Sequence, residues 1–256
     1  MDAVESRSPQ RSSWPEWVTS LGSGLALAAI GAGLLSASWG HGPDVLIDFG
    51  RELYLAWRLS EGEVLYRDVR HLSGPLSPYW NALVFQILGV GLHSLVWANV
   101  ALIALMTGLL YRLLRRIAGP LSAFMGPAVM LLGFAFGQLS RVGNYNYLTP
   151  YAHEITHGLT LSLGVLAVLA VRERLGAATY GLAGLLLGAV ALTKVEVFLP
   201  IGAALALFSA LELRAEAATH ALRPSPALRR LGLVVLGAGL APTVALLLLT
   251  RAMPLG

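Results

Sequence analysis

HSLVWANVALIALMTGLLYRLL, residues 93–114, decides the fold: Arg112 is its one residue among Asp, Glu, Lys and Arg. About 20 apolar residues suffice to cross a bilayer core. A crossing segment must satisfy its own backbone hydrogen bonds, which makes helix the default. Six similar runs lie at 18–39, 119–138, 155–171, 177–193, 197–212 and 231–250. The chain is therefore expected to be an all-α polytopic membrane protein with about seven transmembrane helices.

Composition agrees. The 256 residues are 56% hydrophobic and 12% charged, with mean hydropathy +0.68; an average soluble domain has about a quarter of its residues charged. The net charge of +4 does not point to nucleic acid, because the basic residues stand in short groups between apolar runs, where they act as topology signals. The chain has no cysteine, so disulfides and thiolate metal sites are excluded.

Ser36-Ala37-Ser38 has the look of a signal-peptide cleavage site, but the leader with Arg7 and Arg11 is long and the apolar run exceeds a typical signal core. The first run is read as a retained anchor behind a cytoplasmic tail, residues 1–17. With that orientation, Arg7, Arg11, Arg112, Arg115, Arg116, Arg172, Arg174, Arg214, Arg223, Arg229 and Arg230 are inside. Arg51, Arg58, Arg67, Arg70, Arg141, Lys194 and Arg251 are outside. The bias has the sign expected of a cytoplasmic N-terminus.

Four of the outside residues sit in one long outer loop, 40–92, and long connections tend to be functional. Val45, Phe49, Leu53 and Trp57 recur every four residues, with Asp48, Arg51, Glu52 and Arg58 on another face. That pattern predicts an amphipathic helix at the membrane surface, stopped at Gly62. A second amphipathic stretch is expected after Pro78, ending at Gly89. Arg67, Asp68, Arg70 and His71 form a second charged cluster before Ser73-Gly74-Pro75-Leu76. A solvated helix face is the plain reading of these charges. A carboxylate beside an arginine is equally a way to keep a general base ionised.

Asp48-Phe49-Gly50-Arg51-Glu52-Leu53, Gly62-Glu63-Val64-Leu65-Tyr66-Arg67-Asp68 and Gly74-Pro75-Leu76-Ser77-Pro78-Tyr79 together resemble the integral-membrane GT-C glycosyltransferases. Within that class the loop looks like the dolichyl-phosphate-mannose mannosyltransferase and RgtA/B/C/D-like branch. Gly143-Asn144-Tyr145-Asn146 through Glu154, and Leu192-Thr193-Lys194-Val195-Glu196, extend the likeness over roughly residues 20–212. The resemblance implies transfer of a sugar from a polyprenyl-phosphate donor to a glycan, lipid or protein acceptor at the outer face of the inner membrane, usually with inversion. It makes Asp48 the catalytic base, with Arg51, Glu52 and Asp68 shaping the acceptor side; His71, in the same charged cluster as Asp68, is a further candidate for binding acceptor or donor. No cofactor beyond the lipid-linked donor is implied, and a divalent metal at its phosphate is assigned no ligand. The chain departs from the family in having Gly74-Pro75 where many relatives have two prolines. Relatives are also much longer, so residues 18–256 are expected to be the N-terminal portion of such a transmembrane domain, and activity of this portion alone stays open.

The second outer loop, SRVGNYNYLTPYAHEITHG, gathers Arg141, Asn144, His153 and His157 where a lipid phosphate would sit. Arginine is a natural bidentate phosphate partner; a Tyr belt with ordinary turn residues is the plain alternative. Lys194 and Glu196 lie inside an apolar stretch, where ionisable residues tend to face a cavity or a partner, or else snorkel to water. Lys194 is a further candidate for the donor phosphate.

His153-Glu154-Ile155-Thr156-His157 also spells the H-E-x-x-H zinc-protease pattern. Thr160 and Leu163 stand where the metzincin extension needs Gly and His, and Glu196 is the one downstream glutamate on the same side of the expected topology. Pro150 sets the helix start near 151–153, so Glu154 reads as a charge complementing a helix dipole. An intramembrane zinc protease is thus the alternative enzyme, and a transporter or assembly subunit the non-enzymatic one.

Overall fold

A computed structural model describes residues 16–41, 49–137, 146–172, 176–219 and 225–253. Among them the regular structure is helical, apart from one isolated bridge between Leu65 and Val69. The helices are α1 (Glu16–Ser38), α2 (Phe49–Ser60), α3 (Leu76–Leu88), α4 (Leu92–Ile117), α5 (Gly119–Met130), α6 (His153–Ala170), α7 (Ala177–Ala191), α8 (Val195–Thr219) and α9 (Pro226–Ala252). The expected apolar runs fall on single helices except 119–138, whose described part is shared between α5 and the π-helical turn Leu131–Ala135. Five of these, α1, α4, α6, α8 and α9, contain stretches long and apolar enough to cross a membrane. The runs on α7 and on α5 with the π-helical turn Leu131–Ala135 are shorter.

Local chemistry sets the ends. Gly89, at φ +86, closes α3 by donating to the Phe85 carbonyl at 2.9 Å, a left-handed geometry that costs glycine little. Arg115 and Arg116 occupy the last turn of α4, where cations meet the negative end of the helix dipole. Ser225 caps α9 by accepting from the Leu228 N–H, with Pro226 at the first helical position. Glu216 of α8 accepts from the Ser225 hydroxyl and the Ala227 N–H, pinning the α8–α9 connection.

Two apolar clusters hold the bundle. One joins α1, α4 and α5 through Leu27, Ile103, Met106 and Met130. The other joins α6 to α9 through Val165, Leu187, Leu205 and Val234. Between α7 and α9 the backbones nearly touch: a Cβ on Gly184 would run into the Val234 carbonyl, and one on Gly237 into that of Gly181. Small residues at such a contact are the usual packing device between helices in lipid. Leu236, Leu240 and Leu247 of α9 and Leu199 and Leu207 of α8 are exposed, a surface suited to lipid contact.

The long loop differs from its expected form. Phe49, Glu52, Leu55, Ala56 and Leu59 are the buried residues of α2, whereas Trp57 is exposed. The buried face is thus turned from the Phe49–Leu53–Trp57 stripe, and Glu52 points inward because its partners lie in α6. Val45 and Asp48 lie outside the described residues. Helix α3 begins at Leu76, not after Pro78; Pro78 sits in its first turn, where a missing N–H breaks no helical bond. Gly62, at φ +98, does lie just past the end of α2, its N–H donating to the Leu59 carbonyl.

Hydrogen bonds gather the loop, the start of α6, the α7–α8 turn and the end of α9 at one end of the bundle. Gly74 donates to the Thr193 carbonyl and Leu76 to that of Leu192. The Arg67 guanidinium donates to the Ala252 carbonyl at 2.7 Å.

Candidate functional site

The α7–α8 turn supplies one wall of a cleft at that end. Gly74 presses so closely on Leu192 that a Cβ would overlap its carbonyl, which brings the segment before α3 against Thr193 and Lys194. Helix α2 presents Arg51 and the first turn of α6 presents Glu154 to the same space. The cleft has a volume of ≈ 600 Å³ and is lined by Arg51, Gly74, Tyr151, Glu154, Lys194 and Glu196 among others. It thus joins polar groups from three separated parts of the sequence. Lys194 Nζ lies 3.8 Å from Glu196 Oε1, a loose pair.

Beneath the cleft the polar groups are buried. Glu52 Oε1 accepts from Arg51 Nη2 at 3.0 Å, and Oε2 stands 2.9 Å from His153 Nδ1. The His153 backbone N–H also points to Oε2, at 3.4 Å, so a carboxylate from α2 meets the positive end of α6. His153 Nε2 lies 3.0 Å from Asn99 Nδ2, and that amide donates to the Leu148 carbonyl at 3.0 Å. Burial alone would raise the Glu52 carboxyl; the hydrogen bond from His153 and the Arg51 guanidinium outweigh it and hold Glu52 below the ordinary carboxylate value.

His71 Nε2 lies 3.1 Å from Glu154 Oε1, both side chains being nearly sealed from solvent. Tyr66 packs against His71 and donates its hydroxyl to the Ser73 carbonyl at 2.6 Å. Its backbone sits at φ 70, a left-handed conformation unusual for a bulky residue. Burial raises its phenol above the ordinary value, and the neighbouring Tyr79 and Glu154 act in the same direction.

The residues selected from sequence therefore separate into groups. Arg51 and Lys194 line the cleft, while Glu52, His71 and His153 support its floor. Asp68 belongs to the 62–69 turn: it pairs with Arg67 at 2.8 Å and accepts from the Val64 N–H at 2.8 Å. Those two contacts, the Arg67 bond first, lower its carboxyl to about 2. His157 is buried one turn into α6, edge-on to Trp80, and neither ring nitrogen has a hydrogen-bond partner among the described residues. Asp48, Arg141 and Asn144 lie outside the described residues.

For the zinc-protease spelling, the arrangement supplies little. Both ring nitrogens of His153 are engaged, by Asn99 and Glu52, and Glu154 faces His71. Among the described residues no three His, Cys, Asp or Glu side chains converge as a metal site, whereas zinc needs at least three protein ligands.

Sequence reasoning passed over Asn99, the lone amide within the apolar run of α4. A polar residue at membrane depth is costly and usually has a partner, which was the signal available for it. No protein-family model, curated protein or solved structure matches the chain. The likeness to GT-C enzymes accordingly rests on the loop residues themselves.

Proposed function

We propose that the chain is a membrane glycosyltransferase, or the N-terminal portion of one, that moves a sugar from a polyprenyl-phosphate donor to an acceptor hydroxyl. The observation that carries this reading is the cleft: Arg51 and Lys194, from distant parts of the sequence, face one space beside the first turn of α6. Two cations suit a phosphate that gains negative charge as its bond to the sugar breaks, and Glu154 and Glu196 are the acidic groups of the same lining. Asp48, three residues before Arg51, is the base in this reading. It takes the acceptor proton, the acceptor oxygen attacks the anomeric carbon, and the lipid phosphate leaves from the opposite face with inversion.

In the same reading all seven apolar helices cross the inner membrane, the N-terminus is cytoplasmic, and the cleft opens extracytoplasmically. Arg112, Arg115, Arg116, Arg172, Arg229 and Arg230 then fall on the cytoplasmic side, as the positive-inside rule requires.

The test is sugar transfer by the full chain in proteoliposomes, with labelled polyprenyl-phosphate sugar and a simple hydroxyl acceptor. Asp48→Asn is expected to lower kcat by about 10²–10⁴, the usual contribution of a general base. Lys194→Gln is expected to raise the donor KM more than it lowers kcat. Transfer that survives Asp48→Asn unchanged removes the base assignment; zinc held stoichiometrically and lost with His157→Ala would favour the protease reading.

A further inference from the structure

We propose that His153 and Asn99 are positioning residues: together they fix Glu52, and Glu52 holds the Arg51 guanidinium at the cleft. The Leu148 carbonyl can only accept, so Asn99 must turn its NH₂ toward it, at 3.0 Å. The second hydrogen of that NH₂ then points at His153 Nε2, also 3.0 Å away. Nε2 is thereby required to accept, which places the ring proton on Nδ1, opposite Glu52 Oε2 at 2.9 Å. Oε1 is left to take Arg51 Nη2 at 3.0 Å. One carbonyl in the 146–152 segment thus sets the direction of every hydrogen bond from α4 through α6 to α2.

The distribution of burial says what this chain of bonds is for. Asn99, His153 and Glu52 are 1%, 0% and 4% exposed, while the Arg51 side chain is 55% exposed and lines the cleft. Replacing buried charged pairs by apolar side chains of similar volume is often neutral for stability, because desolvating a carboxylate offsets much of its pairing. The polar chain contributes a fixed orientation for the one member that emerges. Among the described residues Glu52 takes one terminal nitrogen of Arg51 and leaves the other guanidinium N–H groups to an anion in the cleft. Phe49 packs on the His153 ring at 5.7 Å between centroids, which holds the imidazole plane.

The consequence for sugar transfer rests on the transferase reading above; the positioning itself does not. Two variants of the full-length chain in detergent separate bulk from hydrogen bonding. His153→Asn keeps an N–H where Nδ1 stands, and His153→Leu keeps volume without a donor. Arginine modification by phenylglyoxal, followed by mass spectrometry, reads the freedom of Arg51, with Arg116 and Arg229 as internal standards. His153→Leu and Glu52→Gln are expected to speed modification of Arg51 at least about fivefold, the order set by losing a charge-assisted hydrogen bond. His153→Asn should stay near the wild-type rate, and the standards should not move. An asparagine variant as reactive as the leucine variant, or Arg51 indifferent to all three, overturns the proposal. Nitrogen-15 spectra of histidine-labelled wild-type protein give a reading that needs no variant to fold. They should show His153 protonated on Nδ1 and bare on Nε2; the opposite tautomer also overturns it. In proteoliposomes, His153→Leu should raise the donor KM with a smaller change in kcat, restored by His153→Asn. Absence of sugar transfer in every form, with the reactivity pattern intact, would instead remove the transferase reading.

Discussion

The backbone N–H of Gly74 donates to the Thr193 carbonyl at 2.7 Å, and this contact makes the cleft a single unit. Thr193 is fully buried, its hydroxyl donates to the Val190 carbonyl at 2.6 Å, and it stands so close to Gly158 of α6 that a Cβ there would crowd it. The long loop, the start of α6 and the α7–α8 turn therefore meet through two backbone hydrogen bonds, from Gly74 and Leu76, and two glycines.

Gly74→Ala should break this arrangement. Its Cβ would overlap the Leu192 carbonyl, a backbone atom that cannot swing aside. Overpacking of this kind costs about 1–3 kcal/mol, to be read as a lower melting temperature in detergent. Gly108→Ala is the matched control: nothing lies within 4 Å of its added Cβ, and alanine in a helix interior gains about 0.5–1 kcal/mol over glycine. Equal melting of the two variants would disprove the tight docking.

Asp68 supplies a pH signature. Its hydrogen bond from Arg67 and the Val64 N–H lower its carboxyl from 3.8 to about 2. A depressed pKa in the folded state means that the contribution to the 62–69 turn is complete above the unfolded value and fades as pH falls through about 2. Carbon-13 titration of the Asp68 carboxyl should give a midpoint near that value, and Arg67→Met should move it upward. A midpoint near 3.8 in the wild-type chain would show that the pairing does not form.

Apolar periodicity located the bundle because each crossing helix must satisfy its own backbone, a local requirement. The ends were less legible. Helix α8 continues past the apolar run to Thr219 because Glu216 finds Ser225 and Ala227 across the next connection, and α9 starts early on the Ser225 cap. Glu52 looked like part of a solvated face, since its spacing from Asp48 is that of one helical face. Its inward direction depends on His153 and Asn99, which no local pattern around α2 contains. Gly74 looked like a motif letter; its lack of a side chain matters because of Leu192, far along the chain. The His153–Glu154 start of α6 was legible from Pro150, a local signal.

Helix α7 owes its place to close backbone contact with α9. A Cβ on Gly184 or Gly188 would run into the Val234 or Ala238 carbonyl, respectively. Gly184→Leu should force the two helices apart, and the loss should exceed the roughly 1–3 kcal/mol of ordinary overpacking because backbone atoms are in the way. Thermal unfolding in detergent measures it, with Gly232→Ala, whose Cβ meets nothing within 4 Å and which should melt no lower than wild type, as the unhindered comparison. A Gly184→Leu chain that melts with wild type would mean that α7 and α9 do not pack through this face.

The orientation proposed for the bundle has a direct test, aided by the absence of native cysteine. Leu72 is fully exposed beside the cleft, and Ile117 is exposed at the end of α4. Single substitutions Leu72→Cys and Ile117→Cys each give one reactive thiol against a silent background. A membrane-impermeant maleimide applied to cells with a permeabilised outer layer and an intact inner membrane should label the cysteine at 72 and spare that at 117. Disruption of the membrane should expose both. The Arg115–Arg116 pair next to Ile117 is expected to stay cytoplasmic, since Lys and Arg flanking a span set its direction. Labelling at 117 but not 72 in intact membranes would invert the topology. It would put the cleft on the cytoplasmic side, facing water-soluble activated sugars, and so would remove the reason for a lipid-linked donor.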